Sequence, residues 1–196
     1  MRSVYYVAMS LDGYIAGPND ELDWWLALGQ SEQEYLAFYK RVGAVVMGAN
    51  TYLWLYQHFE QQGKEWPLDI PVSVLASRPL PRIAGVDIWF GTESVQETHR
   101  RAAAISCGKD LWVLGGGGLA SQFLANGLLD DVVVQVAPVI LGAGKRVFGD
   151  ALECRELVLT RVREVMGIYG ELHYEVRSPQ NCQHKGNCTR SKGDGQ

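Results

Sequence analysis

The chain alternates short apolar runs, rich in β-branched and aromatic residues, with segments whose apolar positions recur at helical spacing. SVYYVAM (3–9) is bounded by the turn-rich SLDGYIAGPND and predicts a buried first strand. A helix is expected from about Ser31, where Ser31 suits an N-cap with Glu34 three residues on. Tyr35, Phe38, Tyr39 and Val42 share its apolar face, and Gly43 ends it. AVVMG (44–48) predicts a second strand, NTYLWLYQHF (50–59) a short helix, PVSVLASR (71–78) a third strand and GVDIWFG (85–91) a fourth. Thr92 is placed to cap the helix ESVQETHRRAAAISC (93–107). DLWVL (110–114) is a fifth strand and LASQFLAN (119–126) a helix that Gly127 stops. DVVVQVAPVIL (131–141) predicts a sixth strand, and RELVLTRVREV with GELHYEVR a terminal antiparallel hairpin.

Repeated strand and helix followed by a hairpin implies an α/β fold with a mostly parallel sheet and helices on both faces. Its ligand cleft is expected at the C-terminal strand ends. Gly115, Gly116, Gly117 and Gly118 stand at such an end, between LWVL and LASQFLAN. A linker would separate domains and mix glycine with serine, whereas these residues lie inside one strand-helix unit. Glycines there leave backbone N–H groups at a helix N-terminus open to a phosphate. Gly115-x-Gly117-x-x-Ala120 also satisfies the loose dinucleotide fingerprint. The strand that follows ends in neither Asp nor Glu, so a Rossmann unit is the alternative fold.

The 196 residues, 47% hydrophobic and 20% charged, suit one well-buried domain. With a formal net charge of −4 and scattered Lys and Arg, the chain lacks the basic stripe of a nucleic-acid binder. No apolar run approaches the roughly 18 residues of a membrane span. Asp12 interrupts the first apolar stretch too early for a signal peptide, so a cytoplasmic location is expected. Four cysteines without a secretion signal read as thiols. The segment 178–196 has no Leu, Ile or Val and is expected to be disordered. Its Cys182, His184 and Cys188 fall short of a closed four-ligand zinc site, and no metal is expected.

VVMGANTY, VLASR and WVLGGGGLASQFL, in that order after MSLDGYIAG, resemble the dihydrofolate reductase-like superfamily. The closer resemblance is to the reductase domain at the C-terminus of the bifunctional riboflavin-biosynthesis protein RibD, a branch that SLDG and PVILGAGKRVF favour. It covers one domain, 1–177. The resemblance implies a three-layer sandwich with a mostly parallel central sheet and a C-terminal antiparallel hairpin. It also implies a homodimer, NADPH as cofactor, and hydride transfer to a small pterin-like, pyrimidine-like or carbonyl substrate. Gly48 and Thr51 match positions that meet the pyrophosphate, and Ser77 and Arg78 match the segment that holds the 2′-phosphate. Gly115 to Gly118 with Leu119 match the glycine-rich turn, which in the family often contains a cis Gly-Gly bond. Ala49 departs from the pattern, since the family often has Arg there.

Hydride transfer asks the protein to align two carbons and supply a proton. Asp12, Glu21 and Asp23 are the acids of the first loop. Asp23 precedes Trp24 and Trp25, whose apolar faces would enclose its carboxyl and suit it to proton donation. The alternative is that Asp23 caps a turn and the tryptophans are core. Asp12 is the second catalytic candidate, and Asp12-Gly13 is equally a good turn dipeptide. Tyr14 and Trp25 from this loop, with Arg146 from APVILGAGKRVFGD, are the expected substrate contacts. Gly142 and Gly144 would let the chain turn closely over a ligand, and Lys145 or Arg146 would meet a substrate phosphate or form a solvated basic turn. A second functional class, a nucleotide- or pterin-binding protein without turnover, stays open because of Ala49 and because the proton-donating acid is not fixed.

Overall fold

The computed structural model describes residues 1–149 and 154–177. In chain order they form β1 (Ser3–Ser10), β2 (Tyr14–Ala16), α1 (Asp23–Leu28), α2 (Glu32–Tyr39), β3 (Val42–Gly48), α3 (Ala49–His58), β4 (Val72–Leu75) and β5 (Ile88–Gly91). Then follow α4 (Val95–Ile105), β6 (Asp110–Gly115), α5 (Gly117–Ala125), β7 (Asp131–Ala137), β8 (Lys145–Arg146), β9 (Leu157–Val165) and β10 (Tyr169–Val176). An eight-stranded sheet runs β5-β4-β3-β6-β1-β7-β10-β9. It is parallel from β5 to β7, and β10 and β9 add antiparallel to β7. β2 and β8 pair separately as a small antiparallel ladder.

Strand alternation sorts the apolar residues onto two faces. Tyr5, Val46, Leu111, Val113 and Val134 pack with Val95 and Ala102 of α4 and Phe123 and Leu124 of α5. Val45, Met47, Val74 and Trp112 pack with Tyr52 of α3 and the aromatic side of α2, Tyr35, Phe38 and Tyr39. Each fully buried Val, Leu or Phe adds about 1.5–3 kcal/mol, so the two layers together hold the sheet. The three-layer α/β sandwich with a terminal antiparallel hairpin is as expected. Its strand order differs from the 3-2-1-4-5-6 of a Rossmann unit, because β6 returns to fill the gap between β3 and β1.

Several boundaries differ from the sequence expectation. The Ser31 hydroxyl does accept the Glu34 N–H at 3.3 Å, yet α2 stops at Tyr39. Val42 and Gly43 open β3: Val42 is buried, and Gly43 lies against the Ser106 carbonyl, where a side chain would collide. Ser94 rather than Thr92 caps α4, its hydroxyl accepting from the Glu97 N–H. β7 ends at Ala137, before Pro138, which offers no N–H to a ladder. α5 starts at Gly117, so two of the four glycines are helical. The candidate disordered tail and its Cys182, His184 and Cys188 lie outside the described residues. Among those described, no cluster of metal-ligating side chains forms and no helix is long and apolar enough to cross a membrane.

Candidate active site

β3 and β6 are parallel neighbours, and each feeds directly into a helix. Gly48 is the N-cap of α3 and Gly116 that of α5, and neither has a side chain to accept from the first-turn N–H groups. The two helix starts meet. A β-carbon at Gly48 would lie 3.8 Å from the Gly115 oxygen and 3.9 Å from the Gly116 nitrogen. One at Gly115 or Gly116 would lie 3.7 or 3.9 Å from the Thr51 hydroxyl. The Gly115–Gly116 peptide is cis. Gly48, Thr51, Gly115 and Gly116 therefore surround one spot where two positive helix ends converge, the electrostatics that suit a diphosphate. Gly118 has open space where a side chain would be. Gly117 does not: a β-carbon there would collide with the Arg146 carbonyl and lie 2.9 Å from that of Val147. Leu119 is buried in the core and donates its N–H to the Gly116 carbonyl at 3.0 Å.

Ser77 and Arg78 follow β4, the strand next to β3, and are exposed on the rim of an open depression of about 320 Å³. Arg82, Phe90 and Thr92 complete that rim, with the Arg82 guanidinium 4.9 Å from the Phe90 ring centroid. Tyr52 of α3 donates to the Pro81 carbonyl at 2.6 Å and so ties this loop to the helix that begins at Gly48. Arg82 escaped the sequence reading, although SRPLPR carries two arginines held apart by prolines that limit the loop's freedom.

The first loop is organised by its acids, each in a different way. Asp12 accepts the Ser10 hydroxyl at 2.6 Å and the N–H groups of Leu141 at 3.1 Å and Gly142 at 2.7 Å. The Ser10 bond foremost, against some desolvation and helped by the two amides, brings its carboxyl down to about 2. Glu21 accepts from the Asn19 backbone at 2.8 Å and side chain at 2.7 Å, and bonds from its own backbone and from Asn19 lower its pKa. Asp23 stands exposed at the start of α1. The apolar enclosure expected for it is missing, because Trp24 and Trp25 turn to pack with Leu28 against Ala137, Val165 and Tyr169. Trp25 accordingly joins the core side of the loop.

Tyr14 and Arg146, from separate segments, are brought together. They face each other as partners in the β2–β8 ladder, with the Arg146 guanidinium 5.5 Å from the Tyr14 ring centroid. The ladder is fastened to the main sheet, since Val147 donates to the Gly13 carbonyl at 3.0 Å and Tyr5 of β1 donates its hydroxyl to the Val147 carbonyl at 2.9 Å. Lys145 lies 3.9 Å from Asp20 in the same loop pair. Gly144, at φ +150°, permits close approach to the Ala16 carbonyl, so its glycine serves the β2–β8 contact.

Protein YwjB of Bacillus subtilis (strain 168) is 26% identical over 174 residues, which cover 88% of this chain and 97% of that one. A putative riboflavin biosynthesis protein from Shewanella sp. PV-4 shares the fold with a TM-score of 0.76 and 24% identity, over 91% of this chain and 100% of that one. Dihydrofolate reductase from Enterococcus faecalis, complexed with NADP(H) and RAB-propyl, shares it with a TM-score of 0.61 and 16% identity, over 90% and 97%. The family model described as RibD C-terminal domain matches residues 4–166, from the first strand to the end of β9, and the chain belongs to that family.

Proposed function

We propose that the protein is an NADPH-dependent reductase of a small heterocyclic, pterin-like or pyrimidine-like, or carbonyl substrate. The observation that carries this reading is the convergence of two helix starts, α3 and α5, with the Thr51 hydroxyl between glycines at the ends of adjacent parallel strands. Bound NADPH supplies the hydride. The α3 and α5 N–H groups and Thr51 hold its pyrophosphate, and Ser77 and Arg78, with Arg82 beside them, take the 2′-phosphate. Ala49 contributes no charge, so the backbone donors carry the diphosphate. Tyr14 and Arg146 border the substrate end of the cleft, where Arg146 suits an anionic group.

Asp12 acts in this scheme as a clamp, since its carboxylate is engaged by three donors. Asp23 is exposed, and solvent rather than an enclosed carboxyl delivers the proton. A cytoplasmic location accords with use of NADPH. The homodimer forms through the outer hairpin, where Leu159 and Val162 are 51% and 60% exposed on one face of β9.

The test is spectrophotometric oxidation of NADPH with a panel of dihydropterins, the ribosylaminopyrimidine of riboflavin synthesis, and quinones. Turnover with one of them is expected. NADPH binding with no turnover on any would favour the binding-protein reading.

A further inference from the structure

The most deeply buried charge of the described residues lies away from the cofactor cradle. Glu171 of β10 is fully buried. Strand register sets Ala8, Gln135, Glu171 and Arg163 side by side across β1, β7, β10 and β9. Glu171 accepts from the Tyr6 hydroxyl at 3.1 Å, Gln135 Nε2 at 2.8 Å and Arg163 Nε at 2.6 Å, and His173 Nε2 lies 2.5 Å away. Arg163 also reaches Glu34 of α2 at 2.5 Å. Burial pushes the Glu171 carboxyl up, but the bonds from Arg163, Gln135 and His173 outweigh it and hold it at about 2.

This network fixes one amide and leaves one of its atoms over. Gln135 Nε2 donates one hydrogen to Glu171 and the other to the Tyr6 hydroxyl at 2.6 Å. Turned over, the amide would set its carbonyl against a carboxylate, so the charge on Glu171 dictates which way it faces. Both N–H groups are then spent, and Oε1, which meets no donor among the described residues, can only accept.

Position makes that acceptor available. Tyr6, Ala8 and Gln135 lie on β1 and β7, in the interior of the sheet, and Tyr6 packs on the α2–α3 side. All three nevertheless keep partial exposure. Ala8 puts only a methyl between Gln135 and β6, the strand that ends in the glycine turn.

We propose that Gln135, oriented by Glu171 and Tyr6, is the acceptor that reads an N–H edge of the substrate ring, with Glu171 as its positioning residue. The assignment rests on the reductase reading only in calling the ligand a substrate. An amino- or lactam-bearing heterocycle offers such an edge. Quinones and simple carbonyl compounds do not, and would leave Oε1 unpaired.

The test titrates the full chain, without cofactor, with a diaminopteridine and the dimethoxy form of the same ring. Wild type should prefer the diamino ring by about tenfold or more, the value of one well-made hydrogen bond. Gln135→Met should bring the preference close to unity. Tyr6→Phe, which keeps the bond from Gln135 to Glu171 but frees one amide hydrogen, should reduce it severalfold. A ratio between two probes cancels any general loss of fold. Equal affinities in wild type, no binding of either ring, or a preference that both variants retain overturns the proposal. NADPH titrated separately keeps the two questions apart: failure to bind it would remove the reductase reading and leave a ring preference standing.

Discussion

The Asp12 carboxylate accepts the Gly142 N–H at 2.7 Å, which ties the loop after β1 to the loop after β7. That tie holds the rim formed by these two loops together, because the adjoining Leu141 amide and Ser10 hydroxyl engage the same carboxylate.

Asp12→Ala should therefore speed amide exchange at Leu141 and Gly142 and leave the amides of β1 and β7 protected. The pH dependence has a definite sign. A carboxyl whose folded pKa, about 2, lies below its ordinary 3.8 stabilises the closed rim fully above 3.8 and loses that contribution as pH falls through about 2. The Gly142 amide shift followed by NMR should titrate near the lower value. A midpoint at the ordinary value would mean that the clamp does not persist in solution.

Two adjacent glycines should separate stability from binding. Gly117→Ala drives a methyl into the carbonyls of Arg146 and Val147, which are backbone and cannot swing away, and should cost about 1–3 kcal/mol in urea unfolding. Gly118→Ala meets open space in a helix and should cost no stability. It should weaken NADPH by about tenfold, because the methyl crowds a phosphate approach. Equal behaviour of the two variants would argue against a ligand at the turn.

Asp23→Asn should change turnover by less than about threefold, in contrast to the roughly 100- to 10,000-fold loss expected for a general acid. Steady-state rates across pH decide it. A large fall in kcat with unchanged NADPH affinity would return Asp23 to the catalytic role that its place in the sequence suggests.

The fold was legible because its signals are local and repeated. VVMG, LWVL and DVVVQVA are continuous apolar runs, and their order with the intervening helices implies the parallel sheet. Gly48 and the Gly115–Gly118 run were legible for the same reason, each closing a strand. The rim was less so. β2 and β8 are three and two residues long, too short for any period to register, and they exist because Tyr14 and Arg146 meet across 132 positions of chain. Val42 fits a helical spacing and Gly43 a helix stop, but both belong to β3, Val42 buried in the cluster of Val45 and Trp112 and Gly43 lying against the Ser106 carbonyl at the end of α4. Glu171 gave no signal in GELHYEVR, since its partners Tyr6, Gln135 and Arg163 come from three other strands.

The hairpin should make the dimer. Leu159 pairs with Tyr174 and Val162 with Leu172, and while those β10 partners pack against the core, Leu159 and Val162 of the edge strand stay exposed. Light scattering at micromolar concentration should give twice the chain mass for wild type and the single mass for Leu159→Lys with Val162→Lys. A monomeric wild type would contradict this.

Cofactor choice bears most directly on the account as a whole. Fluorescence titration of wild type and Arg78→Ala with NADPH and NADH gives four dissociation constants. Wild type should prefer NADPH, and the substitution should weaken NADPH by about 10- to 150-fold, in keeping with about 1.5–3 kcal/mol for bonds to a charged group, with NADH barely moved. No binding of NADPH to wild type, or an equal loss for the two cofactors, would contradict the assignment of this site to NADPH.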